Sequence, residues 1–195
     1  MLLPSTRFID TPVMSLQTGS ELGRTIKPII NPRELSIVAF ELHGINLDYD
    51  PSLLRINDIR EIGPMGMIID SSDELISVSD VIKIKEIYEL NFELVGLKVI
   101  DDKKRNVGKV TGFTLDASSF FIQQLQVKRP LLKSFGDTEF LIHRSQVVKI
   151  TDDYLVVKSP DIRHKEAVAE PTGGQMFENP FRKPAQPAPE TIDAS

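Results

Sequence analysis

One pattern of residue types occurs twice in this chain, and the two copies lie 85 residues apart. Residues 19–25 read GSELGRT and precede the apolar stretch 35–42, whereas residues 104–110 read KRNVGKV and precede the stretch 120–127. Self-similarity at a fixed spacing indicates repeated units that fold alike and pack on each other. The 195 residues are enough for two small copies of one fold.

The apolar residues of the second copy change their spacing within one strand. They stand at 120, 122, 125 and 127, and the step of three breaks the period of two that a regular strand keeps. One extra residue in a strand is a β-bulge. We therefore predict a bulge near Gln123 and Gln124, and a matching one between Ile37 and Phe40 of the first copy.

Short apolar runs fill the chain up to about residue 158, and Gly, Pro, Asn and Asp separate them. This pattern is typical of strands joined by turns. Strands are predicted at 13–16, 24–30, 35–42, part of 53–62, 67–70, 98–100, 108–115, 120–127, 138–142, 147–150 and 154–158. Gly23 and Gly108 are interpreted as turn residues that precede a strand.

Two segments differ from this strand pattern. Ile84, Ile87 and Leu90 follow a helical spacing, which predicts a short linking helix over residues 83–90. Six of the 13 prolines fall within residues 160–195, where little apolar surface is available, so we expect a flexible tail there. The predicted organisation is a first domain at 8–80, a linker at 81–92, a second domain at 93–159 and the tail.

In the second half, residues 94–102 read LVGLKVIDD, residues 106–110 read NVGKV and residues 141–150 read LIHRSQVVKI. These motifs resemble those of the PRC-barrel family. The first half departs from the family pattern at Pro28 and Pro32, which lie in or beside a hairpin. Residues 8–158 resemble two tandem copies of this domain.

The resemblance implies an all-β fold of two tandem PRC-type β-barrels, joined by the short helix and followed by the tail. The family occurs in the cytoplasmic part of the photosynthetic reaction centre H subunit. It also forms the C-terminal domain of a ribosome maturation factor that contacts a small-subunit ribosomal protein, and archaeal members are implicated in cell division. These domains generally work by binding proteins and share no catalytic residues, so the resemblance implies a binding role.

Residues that could support catalysis or hold a metal ion are few. Cysteine is absent, which excludes disulfides and thiolate sites. His43, His143 and His164 lack the HxH or HExxH spacing of a zinc site, and the paired aspartates at 101–102 and 152–153 occupy expected turns. No phosphate-binding loop, nucleophile elbow or dinucleotide fingerprint occurs. We therefore predict a protein that is not an enzyme, with no catalytic residue, no metal and no cofactor.

Charge and hydropathy narrow the class of partner. The net charge of −5 argues against direct nucleic-acid binding, which normally uses a basic excess. No apolar run approaches the roughly 20 residues of a membrane-spanning helix, and the N-terminus does not resemble a signal peptide. We expect a cytoplasmic protein without membrane insertion that binds another protein. The sequence leaves open the identity of this partner and the oligomeric state of the chain.

The residues proposed for a partner interface lie in two segments. The loop after the bulged strand is basic and then apolar, and the tail contains two isolated aromatic residues; the candidates are Lys128, Arg129, Leu131, Leu132, Phe135, Phe177 and Phe181. The apolar loop could equally pack between the barrels, and the charged loops could simply be solvated.

Three functions remain in competition. The leading interpretation is a non-enzymatic cytoplasmic adaptor that binds protein through apolar anchors with charged rims. The first alternative is a ribosome-assembly or RNA-processing-associated factor that acts through a ribosomal protein. The second is a small-molecule or metal-binding sensor with a pocket between the barrels.

Overall fold

Strands dominate the part of the chain that the computed structural model describes, which is residues 1–45, 47–129 and 139–158. The first-half strands are β1 Leu2–Pro4, β2 Pro12–Ser15, β3 Glu21–Asn31, β4 Ser36–His43, β5 Ser52–Arg55, β6 Glu61–Gly63, β7 Gly66–Ile69 and β8 Leu75–Ser77. The second-half strands are β9 Lys98–Asp101, β10 Asn106–Asp116, β11 Ile122–Lys128, β12 Glu139–His143, β13 Val147–Ile150 and β14 Tyr154–Val157. The all-β fold class is therefore confirmed.

Helical structure is limited in the described residues. The linking helix α1 spans Ile82–Glu89, one residue earlier than predicted. Short 3-10 helices occur at Ser5–Phe8, Ile56–Asp58, Ser72–Glu74 and Arg144–Gln146. Within the three described ranges, no helix is both long and apolar enough to cross a membrane.

Each predicted strand has a counterpart, whereas β1 and β8 were not predicted. Both have only three residues, which is too short for an apolar period to be recognised. They become strands because a longer neighbour supplies hydrogen-bond partners: β1 pairs with β10, and β8 pairs with β5. Tertiary contact rather than local sequence therefore defines these two elements.

The strands form two seven-stranded sheets with matching topology. The first sheet has the order β6-β7-β2-β3-β4-β5-β8, and the second has the order β13-β14-β9-β10-β11-β12, with β1 added on β10. Each contains one parallel pair, β2 with β7 and β9 with β14, at the same place in the order. The strand pairs among the described residues leave both sheets open, and the predicted domain boundaries stay predictions.

Both predicted bulges are present, at equivalent positions. In the hairpin of β3 and β4 the register skips Val38, and in the hairpin of β10 and β11 it skips Gln123, which is 85 residues later. A second shift in each hairpin skips Ile26 and Thr111, which are again 85 residues apart. The change of apolar spacing in the sequence therefore reports a real bulge, which increases the local strand twist.

Gly23 and Gly108 lie inside strands β3 and β10, which corrects their interpretation as turn residues. An added Cβ at Gly23 would lie 2.7 Å from the carbonyl oxygen of His43, and one at Gly108 would lie 2.3 Å from that of Lys128. Glycine is required because a neighbouring backbone passes too close for any side chain.

The two hairpins meet each other through a reciprocal pair of hydrogen bonds. The Ile37 amide donates to the Phe120 carbonyl oxygen at 3.0 Å, and the Ile122 amide donates to the Leu35 carbonyl oxygen at 2.8 Å. Adding 85 to Leu35 and Ile37 gives Phe120 and Ile122, so equivalent residues of the two halves contact each other. Leu35 and Phe120 also share a positive φ, of 49° and 55°.

A cluster of three aromatic rings lies at this junction. Phe8 stacks on Phe40 with 5.4 Å between ring centroids, and Phe120 lies 6.1 Å from Phe40 in an edge-on orientation. All three side chains are buried, and they belong to a hydrophobic core that includes residues of both halves. The junction is therefore part of the core.

The turn between β9 and β10 is built around the buried carboxylate of Asp101. Its Oδ1 accepts hydrogen bonds from the amides of Lys103 and Arg105 at 2.9 and 2.8 Å, and its Oδ2 accepts one from Arg105 Nε at 2.6 Å. Burial alone would raise the pKa of Asp101, but the hydrogen bonds from Arg105 and Lys103 outweigh it, so this pKa is lowered.

This lowered pKa predicts a loss of stability in acid. The carboxylate stabilises the folded state at pH values above the unfolded pKa of about 3.9, and this contribution disappears as the pH falls through the folded pKa. Urea unfolding of Asp101→Asn should show a deficit at pH 6 that shrinks towards pH 3. Asp73→Asn, at an exposed position of the 3-10 helix Ser72–Glu74, is the control. An equal deficit at both pH values would contradict the assignment.

Candidate binding surface on the second sheet

Three lysines stand side by side on the exposed face of the second sheet. Lys109 of β10 is the register partner of Lys98 on β9 and of Lys128 on β11. All three side chains are exposed. Because neighbouring strands are about 4.8 Å apart, the three positions form a line about 10 Å long. We call Lys98, Lys109 and Lys128 the lysine row.

The lysine row has no internal charge partner in the described part of the chain. No carboxylate oxygen of these residues lies within the 4.0 Å ion-pair distance of a lysine ammonium of the row. Glu139 is the register partner of Lys128 on β12, yet the two side chains do not form an ion pair. The row therefore presents three exposed positive charges to an incoming molecule.

Arg129 and a shallow cavity complete the surface. The Arg129 guanidinium lies 4.8 Å from the centre of the Phe140 ring, a cation–π contact that holds this cation beside the row. A cavity of about 770 Å³ is lined by the row, by Arg129 and by Gly96 and Asn106. The surface thus combines four cations with an accessible hollow.

The equivalent place in the first sheet has its charges neutralised. Arg24 is the register partner of Pro12 and His43, just as Lys109 is of Lys98 and Lys128. Arg24 Nε lies 2.8 Å from Glu21 Oε1, and Arg24 Nη1 lies 3.4 Å from Asp10 Oδ2. The Glu21 hydrogen bond is the main cause of the raised pKa of Arg24. His43 Nε2 lies 3.6 Å from Asp10 Oδ1, so Asp10 contacts both Arg24 and His43.

Both of these carboxylates are absent from the second sheet. Asn106 stands where the offset of 85 places the counterpart of Glu21. Gly96 takes the place of Asp10, as equivalent hydrogen bonds show. The Asp10 amide donates to the Thr25 carbonyl oxygen at 3.0 Å, and the Gly96 amide donates at 2.8 Å to that of Val110, the counterpart of Thr25. The second half therefore keeps a cation at the Arg24 position, has lysines in place of Pro12 and His43, and lacks the two acids that neutralise Arg24 in the first half.

The sequence identified part of this surface. Lys128 belongs to the lysine row and Arg129 lies beside it, whereas Lys98 and Lys109 were not predicted. The alignment of Lys109 with Arg24 was a usable signal, but the position of Lys98 requires the strand register. The remaining candidates fall outside the described residues: Leu131, Leu132, Phe135, Phe177 and Phe181.

The histidines take structural positions where they can be placed. His143 Nδ1 accepts a hydrogen bond from the Ser145 amide at 3.2 Å and so caps the Arg144–Gln146 helical turn. His164 lies outside the described residues. Across 1–45, 47–129 and 139–158, no group of three or more His, Asp or Glu side chains is arranged to hold a metal ion.

A smaller apolar cavity lies where the two halves meet. It has a volume of about 190 Å³, and its walls include Pro28 and Ile29 of β3, Leu94 and Val95 of the segment after α1, and Phe113 of β10. Sites for small molecules usually enclose about 300–1,000 Å³. This cavity is therefore small for the pocket that the sensor hypothesis requires.

Comparison with known protein families gives a match within the second half of the chain. No curated protein matches it. The family model of the PRC-barrel domain matches residues 86–163, a range that includes the end of α1, all of β9 to β14 and the lysine row. This range contains the motifs on which the sequence resemblance was strongest. Residues 86–163 therefore match the PRC-barrel family, which confirms the resemblance seen in the motifs of this range.

Proposed function

We propose that this protein is a non-enzymatic adaptor that holds a protein partner on the lysine row of its second half. The observation that carries the proposal is the absence of internal charge partners for the row among the described residues, beside a neutralised equivalent in the first half. Complementary charge across an interface speeds association and selects the partner. The row would supply that selectivity, with Arg129 fixed at its side.

We also propose that the first half is a second PRC-type barrel. Its support is the order of six strands with one parallel pair, which the two sheets share, and the bulges at Val38 and Gln123. In this arrangement the first half acts as a scaffold, because its core continues into that of the second half. The two copies would then differ in charge at one matching place.

The positive charge of the lysine row bears on the alternative of a factor that acts through a ribosomal protein. A basic ribosomal protein would be repelled by three exposed lysines and Arg129, since like charges facing each other oppose association. An acidic protein surface would be attracted. The row therefore favours a general adaptor over a factor that acts through a basic ribosomal protein at this face.

A charge-matched affinity capture tests the proposal. The full chain and two triple variants would be immobilised and exposed to extract from cells that express the protein. The first variant replaces Lys98, Lys109 and Lys128 with Gln; the control replaces Lys83, Lys85 and Lys149 with Gln, at exposed positions of α1 and β13. Both variants remove three positive charges, so they have the same net charge.

We expect the wild type and the control to retain the same protein partner and the row variant to lose it by about tenfold or more. Circular dichroism spectra should confirm that all three proteins are folded. Equal retention by both variants would contradict the assignment of the row as the binding surface. Failure of the wild type to retain any protein would contradict the adaptor function.

A further inference from the structure

The lysine row has an arrangement that opposes folding. Like charges placed directly opposite on neighbouring strands repel each other, and Lys109 faces a lysine on both sides. The first half places two acids around the equivalent Arg24. If the second sheet needed only to be stable, acids at the matching positions could pair with Lys109 in the same way.

The positions of the two missing acids are open to solvent. Gly96 has no side chain, and a Cβ added there would meet no atom within 4 Å. Asn106 is exposed and carries an amide group that can donate a hydrogen bond to a carboxylate. Both residues line the cavity beside the row. Carboxylates of another molecule can therefore enter the two places that correspond to Asp10 and Glu21 of the first half.

We propose that the ligand of the lysine row is an acidic segment of a protein, whose carboxylates occupy the places that Asp10 and Glu21 take in the first half. This inference rests on the proposed adaptor function and specifies the chemistry of the partner. The segment lies across β9, β10 and β11, because the row runs perpendicular to these strands. Two or three acidic side chains match the length of about 10 Å.

An acidic peptide fits this surface better than a nucleic acid does. The group that neutralises the same position in the first half is a carboxylate. The chain as a whole has a net charge of −5, which repels a long polyanion at a distance, whereas a short acidic segment meets only the local row.

The test measures binding of a fluorescein-labelled deca-glutamate peptide to the full chain by fluorescence anisotropy, at low and at physiological salt. Deca-glutamine and a uridine decanucleotide with the same label are the comparison probes. The key variant is Asn106→Glu, which rebuilds in the second half the acid that Glu21 provides in the first. Its matched control is Glu21→Gln, which removes that acid from the first half.

We expect saturable binding of deca-glutamate that weakens with salt and no binding of deca-glutamine. Asn106→Glu should weaken peptide binding by about threefold or more and raise the melting temperature by about 1–3 °C, because the new carboxylate pairs with Lys109. Glu21→Gln should lower the melting temperature and leave peptide binding unchanged. Asn106→Glu would thus weaken peptide binding while it stabilises the fold. A lysine row with a purely structural role would not show this combination.

Three outcomes would overturn the inference: no saturable binding of deca-glutamate, unchanged binding by Asn106→Glu, or tighter binding of the uridine probe. Its failure is distinguishable from failure of the adaptor function. If the row variant still loses its partner in affinity capture while deca-glutamate does not bind, the row binds a protein of different chemistry. If the peptide binds and no partner is captured, the adaptor function is the part that is wrong.

Discussion

Replacing Phe40 with alanine should lower the free energy of unfolding by about 3–5 kcal/mol, the range measured for buried aromatic side chains. The ring is fully buried, and it contacts Phe8 and Phe120 at centroid distances of 5.4 and 6.1 Å. Its loss leaves a cavity between the halves, so both halves should be destabilised together. Urea unfolding followed by circular dichroism is the suitable measurement, because the chain has no Trp.

The control for this experiment is Phe121→Ala. Phe121 lies next to Phe120 at the same junction, but its ring is only partly buried and is covered by the Arg144 guanidinium at 4.7 Å. A cost of about 1 kcal/mol is expected there. Phe40→Leu, with an expected cost of about 1.5 kcal/mol, tests the same contact if the alanine variant does not fold. A small loss for Phe40→Ala, or two separate transitions, would contradict a shared core.

Gly66→Ala should be the second severe substitution, with a cost of about 3 kcal/mol. The φ angle of Gly66 is +126°, which L-residues rarely adopt, and an added Cβ would lie 2.2 Å from the carbonyl oxygen of Pro12. Pro12 begins β2 and Gly66 begins β7, so the clash would push apart the parallel pair of the first sheet. Thermal and urea unfolding should both report the loss.

Gly63→Ala provides a control within the same hairpin. Gly63 is the register partner of Gly66, but an added Cβ there would meet only the Glu61 carboxylate, at 3.3 Å. That side chain can move aside, so the cost should stay below about 1 kcal/mol. Similar losses for the two variants would show that the close backbone approach at Gly66 is not what requires glycine.

The local pattern of the sequence was sufficient to predict most strands and both bulges. A buried strand must keep its apolar residues on one face, so the step of three between Ile122 and Leu125 requires an extra residue wherever the strand lies. The linking helix follows from its apolar spacing in the same way. Strand β1 could not be predicted, because its three residues pair with β10, more than 100 positions away.

The candidate surface was predicted only in part, for a similar reason. Lys128 and Arg129 are adjacent in the sequence and read as a basic segment, whereas Lys98 and Lys109 join them only through strand pairing. The glycines show the same limit: Gly23 and Gly108 stood out in the sequence, but the close carbonyl oxygens that explain them come from another strand.

The sequence by itself determined that one pattern occurs twice, where its strands are bulged and that its second copy is PRC-like, because periodicity and motif order are local properties. The tertiary structure decided which charges are neighbours. Asp10 reaches Arg24 from the loop before β2, whereas Glu21 lies on the same strand as Arg24. Gly96 and Asn106 leave the matching place around Lys109 without an acid. Side-chain charges act through space over a few ångströms, so only the folded chain distinguishes a neutralised arginine from an open row of lysines.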